Sequence, residues 1–116
     1  MLELLYSYVV VFCSYLLCIQ SLAVLPGDVI IMATDGLFDN MDLDEIVNEV
    51  DLWEKSDRVS DVGALAEQLV QQARTLSLDK NRDSPFALLA KENDIMWGGG
   101  MPDDTSVVVA RVTQSH

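Results

Sequence analysis

Two aspartates in turn-forming contexts, nearly seventy positions apart, carry the chemistry of this chain. Asp35 lies in Ala33-Thr34-Asp35-Gly36-Leu37-Phe38-Asp39-Asn40, directly after the apolar run Val29-Ile30-Ile31-Met32. Asp103 lies in Gly98-Gly99-Gly100-Met101-Pro102-Asp103-Asp104-Thr105, directly before the run Val107-Val108-Val109-Ala110. One carboxylate ends a strand pattern and the other precedes one, so both can be aimed at a single sheet edge. Carboxylate oxygens at such an edge suit a hard divalent cation such as Mg2+ or Mn2+. Two such ions near each other activate water and clamp phosphoryl oxygens during in-line displacement.

Each of these residues also has a plainer role open to it. Asp-Gly is a common turn after a strand, where the side chain bonds its own backbone. Asp39 can serve as a local backbone acceptor or cap, and Asp104 as a solvated residue that orients the Asp103 turn. The glycine triplet precedes a strand and not a helix, so it reads as a loop and not as a phosphate cradle. A calcium loop fails because acids do not alternate before a central glycine. An Asp-x-Asp-Gly nucleophile motif of the haloacid-dehalogenase type fails because Ala33 stands where the nucleophile belongs.

The elements that must position these carboxylates follow from periodicity. Pro26-Gly27-Asp28 is a turn, and Val29 to Thr34 is an apolar run suited to a strand covered on both faces. Asp42 with Glu45 three residues on makes a capping box for a helix to about Val50. Leu52 to Asp61 is polar and charged, hence loop or helix end. Val62, Leu65, Ala66, Leu69, Ala73 and Leu76 form one helical stripe, capped by Ser60 or Asp61 and running to about Leu78. Ser84-Pro85 starts a further short helix, with serine as cap and proline at its first position. Thr105 to Val112 is the last strand. Trp53 and Trp97 read as packing residues. Two strands do not make a stable sheet alone, so partner strands are expected elsewhere.

The charge is unevenly spread. The 116-residue chain has a net charge of −12, and residues 4–27 contain none of the charged side chains. So acidic a surface excludes a phosphate-backbone binder, which needs a Lys/Arg face. Leu4 to Leu25 is uncharged over 22 residues, long enough for a bilayer-crossing helix. A cleaved signal peptide, with Ser21 and Ala23 in a small-x-small pattern, and a misjoined reading frame are the alternatives. No Lys or Arg flanks either end, so no orientation follows. Cys13 and Cys18 lie five apart on that stretch with no partner ligands, and indicate neither zinc nor a disulfide framework.

Taken together, residues 26–116 resemble the C-terminal part of the metal-dependent serine/threonine protein phosphatases of the type 2C class, in the branch related to the mitochondrial matrix enzymes. Four segments carry the resemblance in order: Pro26-Gly27-Asp28, Ala33 to Asn40, Ser84-Pro85-Phe86-Ala87, and Gly99 to Val107. It implies an α+β fold, part of an α-β-β-α sandwich of antiparallel sheets with helices outside. With the leader, the expected organisation is an apolar N-terminal helix in residues 1–25 and a partial phosphatase domain in 26–116. It further implies Mg2+ or Mn2+, binuclear in the complete domain, with Asp35 and Asp103 as metal ligands and Asp39 as support for a weaker metal. A phosphoprotein substrate is the implied partner, and membrane association through residues 4–25 follows if the leader is a helix. The implied compartment is then a membrane, and otherwise intracellular, mitochondrial by resemblance. The family's upstream Asp-Gly-His-Gly-like turn and its general-acid histidine have no match here; the one histidine is the terminal His116. The implied site is therefore incomplete in this chain, and a catalytically dead, membrane-tethered fragment or interaction module of such a phosphatase is the alternative.

Overall fold

The computed structural model describes residues 2–5, 8–11 and 23–114. Four strands pair in the order β1 (Leu2–Leu5), β2 (Tyr8–Val11), β3 (Val29–Ala33) and β4 (Val107–Arg111). Four helices lie between β3 and β4: α1 (Asp35–Phe38), α2 (Leu43–Glu54), α3 (Val62–Ser77) and α4 (Pro85–Glu92).

The N-terminal helix expectation is corrected where the structure describes the segment. Leu4 and Leu5 end β1, and Tyr8 to Val11 form β2, which runs antiparallel to β1 and parallel to β3. β-Branched and aromatic side chains favour a pleated surface. The neighbouring β3 also offers a row of backbone partners that a lone helix would not need. No described helix is long and apolar enough to cross a membrane. The cysteines, residues 12–22 of the leader and His116 lie outside the described residues. The sheet is thus mixed and not antiparallel throughout, with β3 central between a parallel and an antiparallel neighbour.

A turn sets the start of β3. Gly27 takes φ +94°, a left-handed conformation that favours glycine, and its N–H donates to the Val112 carbonyl at 2.7 Å. The Asp28 carboxylate accepts from the Leu25 N–H at 2.8 Å, while its carbonyl accepts from the Val112 N–H at 2.8 Å. Val29 then pairs with Arg111, Ile31 with Val109 and Ala33 with Val107. This register delivers Thr34 and Asp35 opposite the loop that enters β4.

Among the described residues the helices cover one face of the β3–β4 pair, which corrects the expectation for β3. Val29 and Ile31 are fully buried, whereas Met32 and Val108, paired across the ladder, are both exposed. The covered face meets the helices in one core of Leu37, Met41, Ile46, Val50, Trp53, Leu65, Leu69 and Ala73 among others. α3 packs on β4, α2 and α1. Its stripe is buried as its spacing requires: Leu65, Leu69 and Ala73 all face inward.

The caps follow the local signals. Asp42 and Glu45 complete a reciprocal capping box, with the Asp42 carboxylate accepting from the Glu45 N–H at 2.8 Å. Asp61 caps α3, and the buried Ser84 caps α4 with Pro85 following. α2 runs to Glu54, four residues beyond the expected end, because Trp53 is drawn into the core. Arg111 stacks 4.8 Å from the Trp53 ring centroid and pairs with Glu54, tying the end of β4 to the end of α2.

Substitution at the two faces of this fold should separate cleanly. Leu69→Ala removes a fully buried side chain and should cost about 2–5 kcal/mol. Val108→Thr, on the uncovered face, should change stability by less than about 0.5 kcal/mol. Urea unfolding followed by circular dichroism measures both.

Candidate metal centre

The carboxylates are placed by two loops sewn together. Thr34 leaves β3 in extended conformation, and its N–H donates to the Ser106 carbonyl at 3.1 Å. Its hydroxyl donates to the Asp104 carbonyl at 3.1 Å and accepts from the Ser106 N–H at 3.0 Å. The Asp-Gly step was expected as a turn; it opens the single helical turn α1. Gly36 is required there for contact more than for conformation. A β-carbon on it would come within 2.3 Å of Thr105 Oγ1 and 2.5 Å of the Asp104 carbonyl oxygen.

Asn40 closes the second stitch. It is buried, and its amide donates to the Met101 carbonyl at 2.8 Å while accepting from the Met101 N–H at 2.8 Å. The same amide nitrogen donates to the Gly36 carbonyl at 2.9 Å. One side chain thus satisfies a residue of each loop, spanning 61 positions of chain. Behind it, Arg82 donates to the Asn40 carbonyl at 3.0 Å and to both carboxylate oxygens of Glu45, at 2.9 and 3.1 Å. This hydrogen-bonded guanidinium holds the Glu45 carboxyl below its usual range. The Phe86 N–H, at the start of α4, donates to the Asp39 carbonyl at 3.1 Å.

Asp35, Asp39 and Asp103 consequently share one electrostatic neighbourhood. Asp39 is raised from the ordinary 3.8 to about 6, first by burial and then by the charges of Asp35 and Asp103. Its field thus registers both distant carboxylates. Asp103 turns one carboxylate oxygen back to the Asp104 N–H at 2.7 Å, and both it and Asp35 are exposed to solvent. Asp104 adds its carbonyl to the Thr34 stitch. Among the described residues, no three His, Cys, Asp or Glu side chains close into a metal cage. The three acids are grouped, yet open.

Residues 17–113 match the family model described as Stage II sporulation protein E (SpoIIE). The chain is 43% identical over 101 residues to the protein phosphatase PTC7 homolog fig of Drosophila grimshawi, covering 86% of this chain and 33% of that protein. With the homolog of Drosophila virilis the identity is 41%, covering 73% of this chain and 28% of the relative. The chain belongs to the type 2C protein phosphatase family. The X-ray structure of the photosystem II phosphatase PBCP superposes with a TM-score of 0.68 and 29% identity, over 79% of this chain and 38% of that one. The chain spans about a third of the length of the relatives it matches, a part of the type 2C domain.

For a type 2C fragment, the residues that position the acids were the harder ones to see. Asn40 stands in the quoted Ala33 to Asn40 segment, yet nothing marked it as the clasp. Its available signal is an uncharged polar residue four positions after Gly36, between the apolar Leu37 and Met41. Arg82 has no local signal, since its partners lie 37 and 42 positions away.

Two outcomes follow from this geometry. Asn40→Ala leaves one buried and two part-buried backbone groups without their Asn40 partner and should destabilise the chain by roughly 2–4 kcal/mol, read by urea denaturation. Asp39 holds its proton more tightly folded than unfolded, so its contribution is complete below about pH 4 and is lost as pH rises through about 6. In a chelator-containing buffer, Asp39→Asn should remove that decline and be more stable above pH 6. The gain should be of order 1 kcal/mol once solvent screening is allowed for, and thermal melts from pH 4 to 8 would measure it.

Proposed function

We propose that this chain carries the downstream carboxylates of a metal-dependent phosphoserine/phosphothreonine phosphatase centre, with Asp35 and Asp103 as ligands for Mg2+ or Mn2+ and Asp39 supporting them. The observation that carries the reading is geometric: hydrogen bonds of Thr34 and Asn40 join the Asp35 turn to the Asp103 loop. Residues nearly seventy positions apart thus lie on adjacent loops, and both add to the effect of burial in raising Asp39. The donor set fits a hard divalent ion: all oxygen, all acidic, partly hydrated, and mutually repulsive until a cation neutralises it. When bound, such ions supply charge neutralisation at a phosphoryl group and a nucleophile from water.

The protein's own contribution is positional. Gly36 lets the α1 backbone approach Thr105 closely, and this contact brings the Asp35 turn against the Asp103 loop. The Asn40 clasp fixes the loop ahead of Asp103, and the Arg82–Glu45 pair holds Asn40 from behind. The chain's own acids are two proposed ligands and a third support, which leaves most coordination positions to water. We therefore expect weak metal binding and little turnover by this chain on its own, with residues 26–116 forming the phosphatase part. A membrane-tethered remnant gains no support from the described residues.

Titration calorimetry with Mn2+ tests the assignment. Weak binding by the chain should fall at least tenfold in Asp35→Asn and in Asp103→Asn, while Asp57→Asn, remote from the site in sequence, binds as the parent. Equal Mn2+ affinity in all four proteins would remove Asp35 and Asp103 as ligands. Manganese-dependent hydrolysis of a phosphothreonine peptide should be slow and should vanish in the same two variants.

A further inference from the structure

Of the large apolar side chains exposed on this molecule, several gather in one region. Leu78 is 67% exposed, Met96 99% and Trp97 43%. They share a cavity of about 430 Å³ with Lys80, Gly98 and Pro102, between the C-terminal end of α3 and the loop leading to Asp103. A volume in this range takes one large apolar side chain with room around it.

The walls are held in place. The Trp97 ring meets Phe86 edge-on, centroids 5.6 Å apart at 86°, and its indole N–H donates to the Gly100 carbonyl at 3.2 Å. The Gly100 N–H donates to the Asp79 carbonyl at 2.8 Å. Gly99, at φ +85°, is pressed so close to Lys80 that a β-carbon there would lie 2.6 Å from the Lys80 Cα. The Ser84 hydroxyl donates to the Gly99 carbonyl at 2.6 Å. This loop is anchored at Trp97, Gly99 and Gly100, and at Met101 by Asn40, so the floor of the cavity is ready-formed.

We propose that this cavity is a docking pocket for a large apolar side chain of the phosphoprotein substrate, bearing a carboxylate beside it. Two observations select that occupant. Among the described residues, Lys80 is the one charged side chain lining the cavity, a cation on a chain of net charge −12. A second copy of so acidic a chain is disfavoured by like-charge repulsion, whereas a segment with a single carboxylate can pair it with Lys80. Pro102 lines the pocket and the candidate metal ligand Asp103 follows it directly. The pocket therefore adjoins the loop that carries Asp103. That the segment belongs to substrate rests on the proposed phosphatase function; the pocket itself does not.

The test is nitrogen-15 NMR titration of the full chain with an unphosphorylated glycine/serine peptide carrying one Phe-Glu pair. Saturable shifts should appear at the Trp97 indole and at the backbone amides of residues 96–101. Met96→Asp and Leu78→Asp, both at exposed positions and so leaving the melting temperature unchanged, should weaken binding at least tenfold. Lys80→Glu should weaken the Phe-Glu peptide several-fold, leave a Phe-Gln peptide unchanged and favour a Phe-Lys peptide. Asp103→Asn should leave docking intact. Absence of shifts, indifference to Met96→Asp, or shifts at the same residues on raising protein concentration alone (a second copy as occupant) would each overturn the pocket. Docking that persists while phosphorylated Phe-Glu peptides are hydrolysed no faster than phosphorylated Gly-Ser peptides would overturn the substrate assignment alone.

Discussion

One buried amide joins the two halves of the site. Asn40 pairs with both backbone groups of Met101, so the turn that carries Asp35 and the loop that carries Asp103 cannot separate without leaving polar groups unmet. A buried, unpartnered backbone group costs about 1–3 kcal/mol, and one buried and two part-buried groups depend on this one side chain. Asn40 is itself held through its carbonyl by Arg82, whose guanidinium is committed to Glu45 in the first turn of α2. The carboxylates need such a frame because they repel one another. Asp39 is raised first by its burial and then by the charges of Asp35 and Asp103.

The glycines around the site work by proximity. Gly36 admits Thr105 and Asp104 to the α1 backbone, and Gly100 allows the loop to lie on the last turn of α3, where a β-carbon would come within 2.2 Å of the Leu76 carbonyl oxygen. The loop that presents Asp103 is therefore held from two directions, by the Asn40 clasp and by its seat on α3. The same seat exposes Met96 and Trp97. The placement of Asp103 and the apolar pocket are two consequences of one anchored segment.

How much of this could be read along the chain depended on the range of the forces involved. Capping of α2 by Asp42 and Glu45, of α3 by Asp61 and of α4 by Ser84 with Pro85 acts over three residues, and each was legible. The stripe of α3 was legible for the same reason, since burial of every third or fourth residue leaves a periodic trace. The leader was misread in its described part. A run such as Tyr8 to Val11 is apolar enough for a membrane and branched enough for a strand, and periodicity cannot separate the two. Pairing with β3 decided it. The all-apolar β3 likewise suggested burial on both faces, but Met32 is exposed, because the helices cover one side of the β3–β4 pair.

By itself, then, the amino-acid order determined where α2, α3 and α4 start, which stripe of α3 enters the core, and that Asp35 and Asp103 stand at the ends of strands. Those are consequences of local hydrogen bonding and of hydrophobic spacing, which act between near neighbours. Only the tertiary structure decided that the two carboxylates share a field with Asp39, that Asn40 and Arg82 hold them there, and that Gly36 is a point of contact as well as a turn. These depend on residues some 40 to 70 positions apart meeting in space, and register across a β-ladder leaves no periodic mark on the chain that a reader could follow.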